Sequence, residues 1–203
     1  MRRPKPLPWL KPGVFVGALV PVAAILLRAW RGELGANPIA QALNQLGLVA
    51  LVFLVAALAC TPLKTLFGWT WPIRLRRMLG LFGFFYGLLH VSTYTVLDQG
   101  LDWRAVWADV TKRKFIYVGA STFVLLVPLA VTSTSGALKR LGYARWKRLH
   151  RLAYVATVLG VIHFLWRVKR DVREPIVYGT VLGVLLLVRL GTYLRVRLAA
   201  SAN

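Results

Sequence analysis

The chain has 203 residues, 58% of them hydrophobic, with a mean hydropathy of +0.61 and a formal net charge of +21. That much apolar surface in continuous runs excludes an ordinary soluble domain. The charge does not indicate nucleic acid. Lysine and arginine gather at the ends of the apolar runs, where membrane proteins place them, and only six acids oppose them. Cys60 is the single cysteine, which excludes an intrachain disulfide and any cysteine-based iron–sulfur or haem-attachment motif. It is read as a small packing residue.

Taken in chain order, the elements are almost all helical. The N-terminal MRRPKPLPWLK and GVFVGALVPVAAILL resemble the basic and apolar regions of a signal peptide. The following RAWRGEL offers no small-residue cleavage site, so the segment is read as an uncleaved first span. Six apolar segments, 12–29, 41–61, 78–97, 115–134, 149–167 and 175–195, are each near the ~20 residues that cross a bilayer. Backbone groups in lipid must be satisfied internally, so each is predicted to be a helix. The first is the shortest and carries Pro21, which predicts a kink. Short connections predict a compact bundle without a separate soluble domain, and no internal repeat is visible. Between the third and fourth segments, LDWRAVWADVTKRK places Trp103 and Trp107 four apart among charges. This suits an interfacial helix or, equally, a loop that touches the membrane.

With the N-terminus in the cytoplasm, the inner segments hold 16 basic residues and no acid. The outer segments hold 10 basic residues and Glu33, Asp98, Asp102, Asp109, Asp171 and Glu174. Both termini are therefore predicted to be cytoplasmic. Arg189 stands apart, inside the last span, where it is expected to snorkel or to meet a buried anion.

The three histidines, His90, His150 and His163, all lie on membrane-spanning segments. Ionisable residues there are expensive and mark functional sites, and paired axial histidines hold haem in helical bundles. The third and fifth spans run in the same direction, each from a basic cluster. His90 is 13 residues beyond Arg77 and His163 is 12 beyond Arg151, so both lie about 20 Å outward of those clusters. Two histidines at one depth on parallel helices suit one haem iron. His150 lies about 20 Å nearer the cytoplasm. Its counterpart on the third span falls near Arg76 or Arg77, so an inner haem would have one histidine plus water, a weak ligand or an open position. Arg76, Arg77 and Arg148 suit haem propionates.

Arg76, Gly80, Gly83, Gly87 and His90 form one stripe, read as a cofactor face or as a helix-packing face. Gly160, three before His163, is a weaker echo. Thirteen residues put His150 and His163 about 140° apart on a straight helix. Either the helix is distorted or the two residues face different neighbours. No dinucleotide fingerprint, P-loop or zinc pattern is present. No acid lies within a span to relay protons, which argues against ion pumping.

The runs TPLKTLFGW (61–69), RLRRMLGLFGFFYGLLH (74–90), LDQGLDW (97–103), PLAVTST (128–134), RWKRLHRLAY (145–154) and HFLWRVKRDVREPIVY (163–178) are long and specific. In them the chain resembles the MsrQ (formerly YedZ) family of the ferric-reductase-like transmembrane superfamily. That resemblance covers about residues 45–195. It implies an all-α, multi-pass protein of the bacterial inner membrane, with a basic segment and first span (1–40) before a haem-binding domain (41–203). It implies b-type haem, one or two per chain, on His90, His150 and His163, together with an associated FMN. The implied partners are membrane lipid, a periplasmic molybdenum-containing methionine sulfoxide reductase of the MsrP type as acceptor, and the quinone pool or a cytoplasmic flavin reductase as donor. Nucleic acid is not among them. Sulfoxide reduction itself would occur on the partner, in repair of oxidised periplasmic proteins. Larger members of the superfamily carry two histidines on each of two helices and a C-terminal flavin domain. Here the third span keeps one histidine, and a separate electron donor is expected. Two other readings are a cytochrome b subunit serving a different acceptor such as ferric iron, and a haem-free membrane scaffold.

Overall fold

The computed structural model describes residues 8–201. Its helices are α1 (Leu10–Trp30), α2 (Pro38–Phe67), α3 (Arg76–Ser92), α4 (Trp103–Lys112), α5 (Lys114–Val131), α6 (Ser135–Leu141), α7 (Tyr143–Leu149), α8 (Leu152–Arg167) and α9 (Arg173–Ser201). No β-strand occurs among the described residues. Six stretches are long and apolar enough to cross a membrane: α1, α2, α3 with its extension to Asp98, α5, α7 with α8, and α9. Many large apolar side chains on their outer faces are exposed, including Val124, Val184 and Leu187, as lipid-facing residues should be. The chain is a multi-pass membrane protein.

The ends of these helices follow local chemistry. Asn37 caps α2 through a bond from Ala40 N, with Pro38 in the first turn, and α2 stops at Gly68 in the left-handed region (φ 70°). Beyond α3 the chain widens into a π-helical turn, Thr93–Asp98. Gly100 and Leu101 then reverse it with φ of 57° and 64°. Asp102 caps α4 by accepting from Arg104 N and Ala105 N. The tryptophan-bearing segment is therefore a helix, and Trp103 and Trp107 stand 66% and 69% exposed on it. Tyr94 donates to Asp109, which also pairs with Arg113, so α4 is tied to the end of α3.

α2 is the hub and the most buried span. It packs against α1, α3, α8 and α9, and the most extensive pairings are α2 with α3 and α5 with α8. Cys60 is buried on α2 with its thiol on Ala56 O, as a packing residue would be. Gly83 of α3 meets Leu54 so closely that a Cβ would sit 2.7 Å from its Cδ2.

α1 packs on α2 and α3 through Ala18 and Ile25, and one side chain also bonds to its backbone. The hydroxyl of Tyr86, fully buried on α3, donates to Ala18 O at 2.7 Å and accepts from Val22 N at 3.1 Å. It is inserted into a helical i→i−4 link, next to Pro21. Tyr86→Phe leaves both backbone groups without this bridge. The expected cost is about 1 kcal/mol, seen as a lower melting temperature of the detergent-solubilised protein. An unchanged melt would mean that α1 closes its own bond.

Most of the fifth predicted span, 149–167, forms α8, and at its start the helix is broken from α7 at His150 and Arg151. The bonds there tighten to i→i−3 spacing, from Arg151 N to Arg148 O, Ala153 N to His150 O and Tyr154 N to Arg151 O.

Candidate functional site

α3 and α8 carry His90 and His163 to the same level of the bundle, and their ring centres lie 6.1 Å apart at an interplanar angle of 80°. Each ring is fixed through Nδ1. His90 Nδ1 is 2.9 Å from Leu43 O on α2, and His163 Nδ1 is 2.6 Å from Phe115 O on α5. A carbonyl only accepts, so Nδ1 carries the proton in both rings and Nε2 keeps its lone pair for a metal. Backbone bonds of this kind orient metal-ligating histidines and raise their basicity.

Haem fits this pair. An imidazole nitrogen sits about 2.0–2.1 Å from a bound first-row metal and roughly 1.1 Å from its own ring centre, so two rings sharing one metal from opposite sides have centres about 6.2–6.4 Å apart. The observed 6.1 Å is close to that. Porphyrin iron needs only two protein ligands, and no group of three or more His, Cys, Asp or Glu suited to a metal occurs among the described residues.

The glycine stripe on α3 divides. Gly83 is a helix-packing position against α2. Gly87 faces Phe123 and Leu126 of α5 at about van der Waals distance, and Gly80 borders open space. Gly160 meets Leu51 and Thr122 at ordinary contact distances.

His150 lies at the other end, with Arg76, Arg77 and Arg148, all three of them exposed. Its ring stacks on Trp146 with centres 3.9 Å apart, and its Nε2 is 3.1 Å from Thr132 Oγ1. Thr132 donates its own proton to Pro128 O at 2.6 Å, so it accepts from His150. Trp146 Nε1 closes the cluster on Thr132 O at 2.9 Å. The nitrogen left free in His90 and His163 is thus engaged in His150. The angular mismatch between His150 and His163 has both of the expected origins: the helix is broken, and the two residues face different neighbours.

Arg189 does not reach an acid. It donates to Tyr154 Oη and to Leu58 O at 2.6 Å, with the guanidinium 5.0 Å above the Tyr154 ring, and so joins α9 to α8 and α2. Its Nε is buried without a partner among the described residues.

Sequence reasoning missed the residues behind the histidines. Leu43 and Phe115 act through backbone carbonyls, which have no sequence signature. Gly47 and Gly119, four residues further along each helix, lie against the two rings. The contacts are regularly offset: the two carbonyls are 72 positions apart, the two glycines likewise, and the histidines 73. Leu54 with Gly83 and Leu126 with Ala156 keep the same offsets, and Leu54, Leu126 and Ala156 share one core cluster. A repeat that the sequence does not display is present in the contacts, with α2–α3 and α5–α8 as its halves.

Two histidine rings at one level of a helical membrane bundle, each with Nδ1 engaged and Nε2 left free, are suited to hold one haem. Residues 42–161 match the ferric reductase like transmembrane component family, and the chain belongs to it. The match spans His90 and His150 and ends two residues before His163. The chain is 51% identical over 189 residues to a protein of Rhodospirillum rubrum, covering 93% of this chain and 91% of that one. It is 47% identical over 191 residues to one of Deinococcus radiodurans (94% of each) and 49% over 188 to one of Herminiimonas arsenicoxydans (92% and 86%). Each of these is named protein-methionine-sulfoxide reductase heme-binding subunit MsrQ. Within the ferric-reductase-like class, the chain is a member of the MsrQ family.

Proposed function

We propose that this protein is the b-type cytochrome subunit that carries electrons outward across the bacterial inner membrane to a periplasmic, molybdenum-containing methionine sulfoxide reductase of the MsrP type. The observation that carries this reading is the His90–His163 pair, two rings 6.1 Å apart with both Nδ1 atoms anchored on backbone carbonyls. The relatives' names supply the system. Haem b, when bound, supplies reversible one-electron iron chemistry.

The chain's own residues do the rest. His90 and His163 would hold the haem iron through Nε2. The Leu43 and Phe115 carbonyls fix their tautomers, and the apolar faces of α3 and α5 keep water away, which tunes the potential. The charge asymmetry supports placing this pair near the periplasmic face and His150 near the cytoplasmic face. His150 with Arg76, Arg77 and Arg148 would then form the entry side, facing the quinone pool or a cytoplasmic flavin reductase, with arginines suited to propionates or to the phosphate of FMN. Residues 1–40 would be an accessory span on the haem-binding domain that follows.

The test begins with a reduced-minus-oxidised visible spectrum of the detergent-purified protein, with haem quantified per chain. A b-type signal is expected. The reduced protein is then mixed with an MsrP-type enzyme and methionine sulfoxide, and reoxidation that needs both supports the assignment. Rapid reoxidation by a ferric chelate alone would favour another acceptor. Colourless protein from haem-replete cells would leave the scaffold reading.

A further inference from the structure

The two histidines are seated in the same way, and each seat contains a glycine. In an α-helix the carbonyl of residue i already accepts from the N–H of residue i+4. Leu43 and Gly47 stand in this i, i+4 relation within α2, and Phe115 and Gly119 within α5. A ring from the next helix can share that carbonyl only if it comes in beside residue i+4, where a Cβ would normally stand. A Cβ on Gly47 would lie 3.2 Å from both Cε1 and Nδ1 of His90. On Gly119 it would lie 2.7 Å from His163 Nδ1 and 2.8 Å from Cε1, inside the 3.0 Å that real Cβ atoms keep. In both seats Nδ1 and Cε1 are the ring atoms nearest the glycine, and Nε2 is not among the three closest.

We propose that Gly47 and Gly119 are positioning residues of a duplicated haem seat, each opening the carbonyl four residues before it to the facing histidine and so aiming Nε2 at the iron. The proposal rests on the reading that His90 and His163 hold haem. It extends that reading to two residues that carry no chemistry of their own, and it ranks them. The Gly119 seat has no slack, whereas the Gly47 seat is a few tenths of an ångström looser. A general need for small residues in membrane helix packing does not explain the choice, because the atoms approached are those of the histidine rings rather than a neighbouring backbone.

The experiment compares Gly119→Ala, Gly47→Ala and, as a control, Gly183→Ala, whose Cβ would meet nothing within 4 Å on α9. Each protein is purified after expression with ample haem. The readouts are haem per chain, the low-spin electron paramagnetic resonance signal of a bis-imidazole iron, and the midpoint potential. Gly119→Ala is expected to lose that signal and to retain haem at this site roughly 10–100-fold more weakly. Gly47→Ala is expected to keep haem but with shifted g-values and potential. Gly183→Ala is expected to match the parent. Because Gly119→Ala could act by misfolding alone, it is also placed in a His163→Ala background. With the ring gone the new methyl has room, so the melting temperature of the double variant should equal that of His163→Ala. An unchanged signal in Gly119→Ala overturns the proposal while leaving the haem pair intact. So does an equal loss of stability in both backgrounds. Absence of the bis-imidazole signal from the parent protein would instead bring down the haem-pair reading itself.

Discussion

His90→Ala and His163→Ala should each remove the haem proposed to lie between α3 and α8, with loss of its low-spin spectrum. The two rings form one unit: with centres 6.1 Å apart, each would supply one nitrogen to the iron, and His150 is held at the other end of α5. Changing a residue that merely supports a metal ligand costs about 10–100-fold in affinity, so removing a ligand should cost at least as much. The effects should also be non-additive. The double variant His90→Ala/His163→Ala should retain no less haem at this site than the worse single variant, because the first loss already breaks the pair. The measurement is haem per chain by the pyridine haemochrome method, read beside the electron paramagnetic resonance signal. Normal content and spectrum in either single variant would refute the pairing.

The pairing was legible in the sequence because depth along a membrane helix is a count. His90 and His163 follow their basic clusters by nearly equal numbers of residues on spans that run the same way, and the structure brings them together. The six spans were legible for the same physical reason, since ~20 apolar residues in lipid have one satisfactory backbone. The helix at Trp103–Lys112 was not settled, because its alternation of tryptophan and charge suits any segment lying at an interface. The break at His150 left no Pro or Gly to announce it. It is stabilised by tertiary contacts, with Trp146 on Thr132 O and His150 on Thr132 Oγ1. The glycine stripe of α3 was legible as a face, but not as three different environments. The carbonyls behind the histidines were beyond the reach of side-chain patterns altogether. Their glycine markers become visible only when two helix pairs are compared at an offset of 72–73 residues.

His150→Ala should spare the His90–His163 signal and remove whatever haem is bound at the opposite end, so that haem per chain falls while the bis-imidazole spectrum persists. The two sites are separable because their surroundings do not overlap. His163 is seated on Phe115 at the start of α5, whereas His150 is seated on Thr132 at its end, across a break in the helix. Thr132→Val makes the argument sharper. In the structure Thr132 takes the Nε2 proton of His150. If an inner haem is ligated through Nε2, that bond must open first, and Thr132→Val removes the competing acceptor and should raise haem occupancy there. If instead His150 supports a quinone or flavin at the entry side, Thr132→Val leaves haem per chain unchanged and alters only the rate at which the donor reduces the protein. Equal haem content in the parent and in His150→Ala would remove His150 from the haem ligands and leave the His90–His163 iron as the only one this chain's histidines hold.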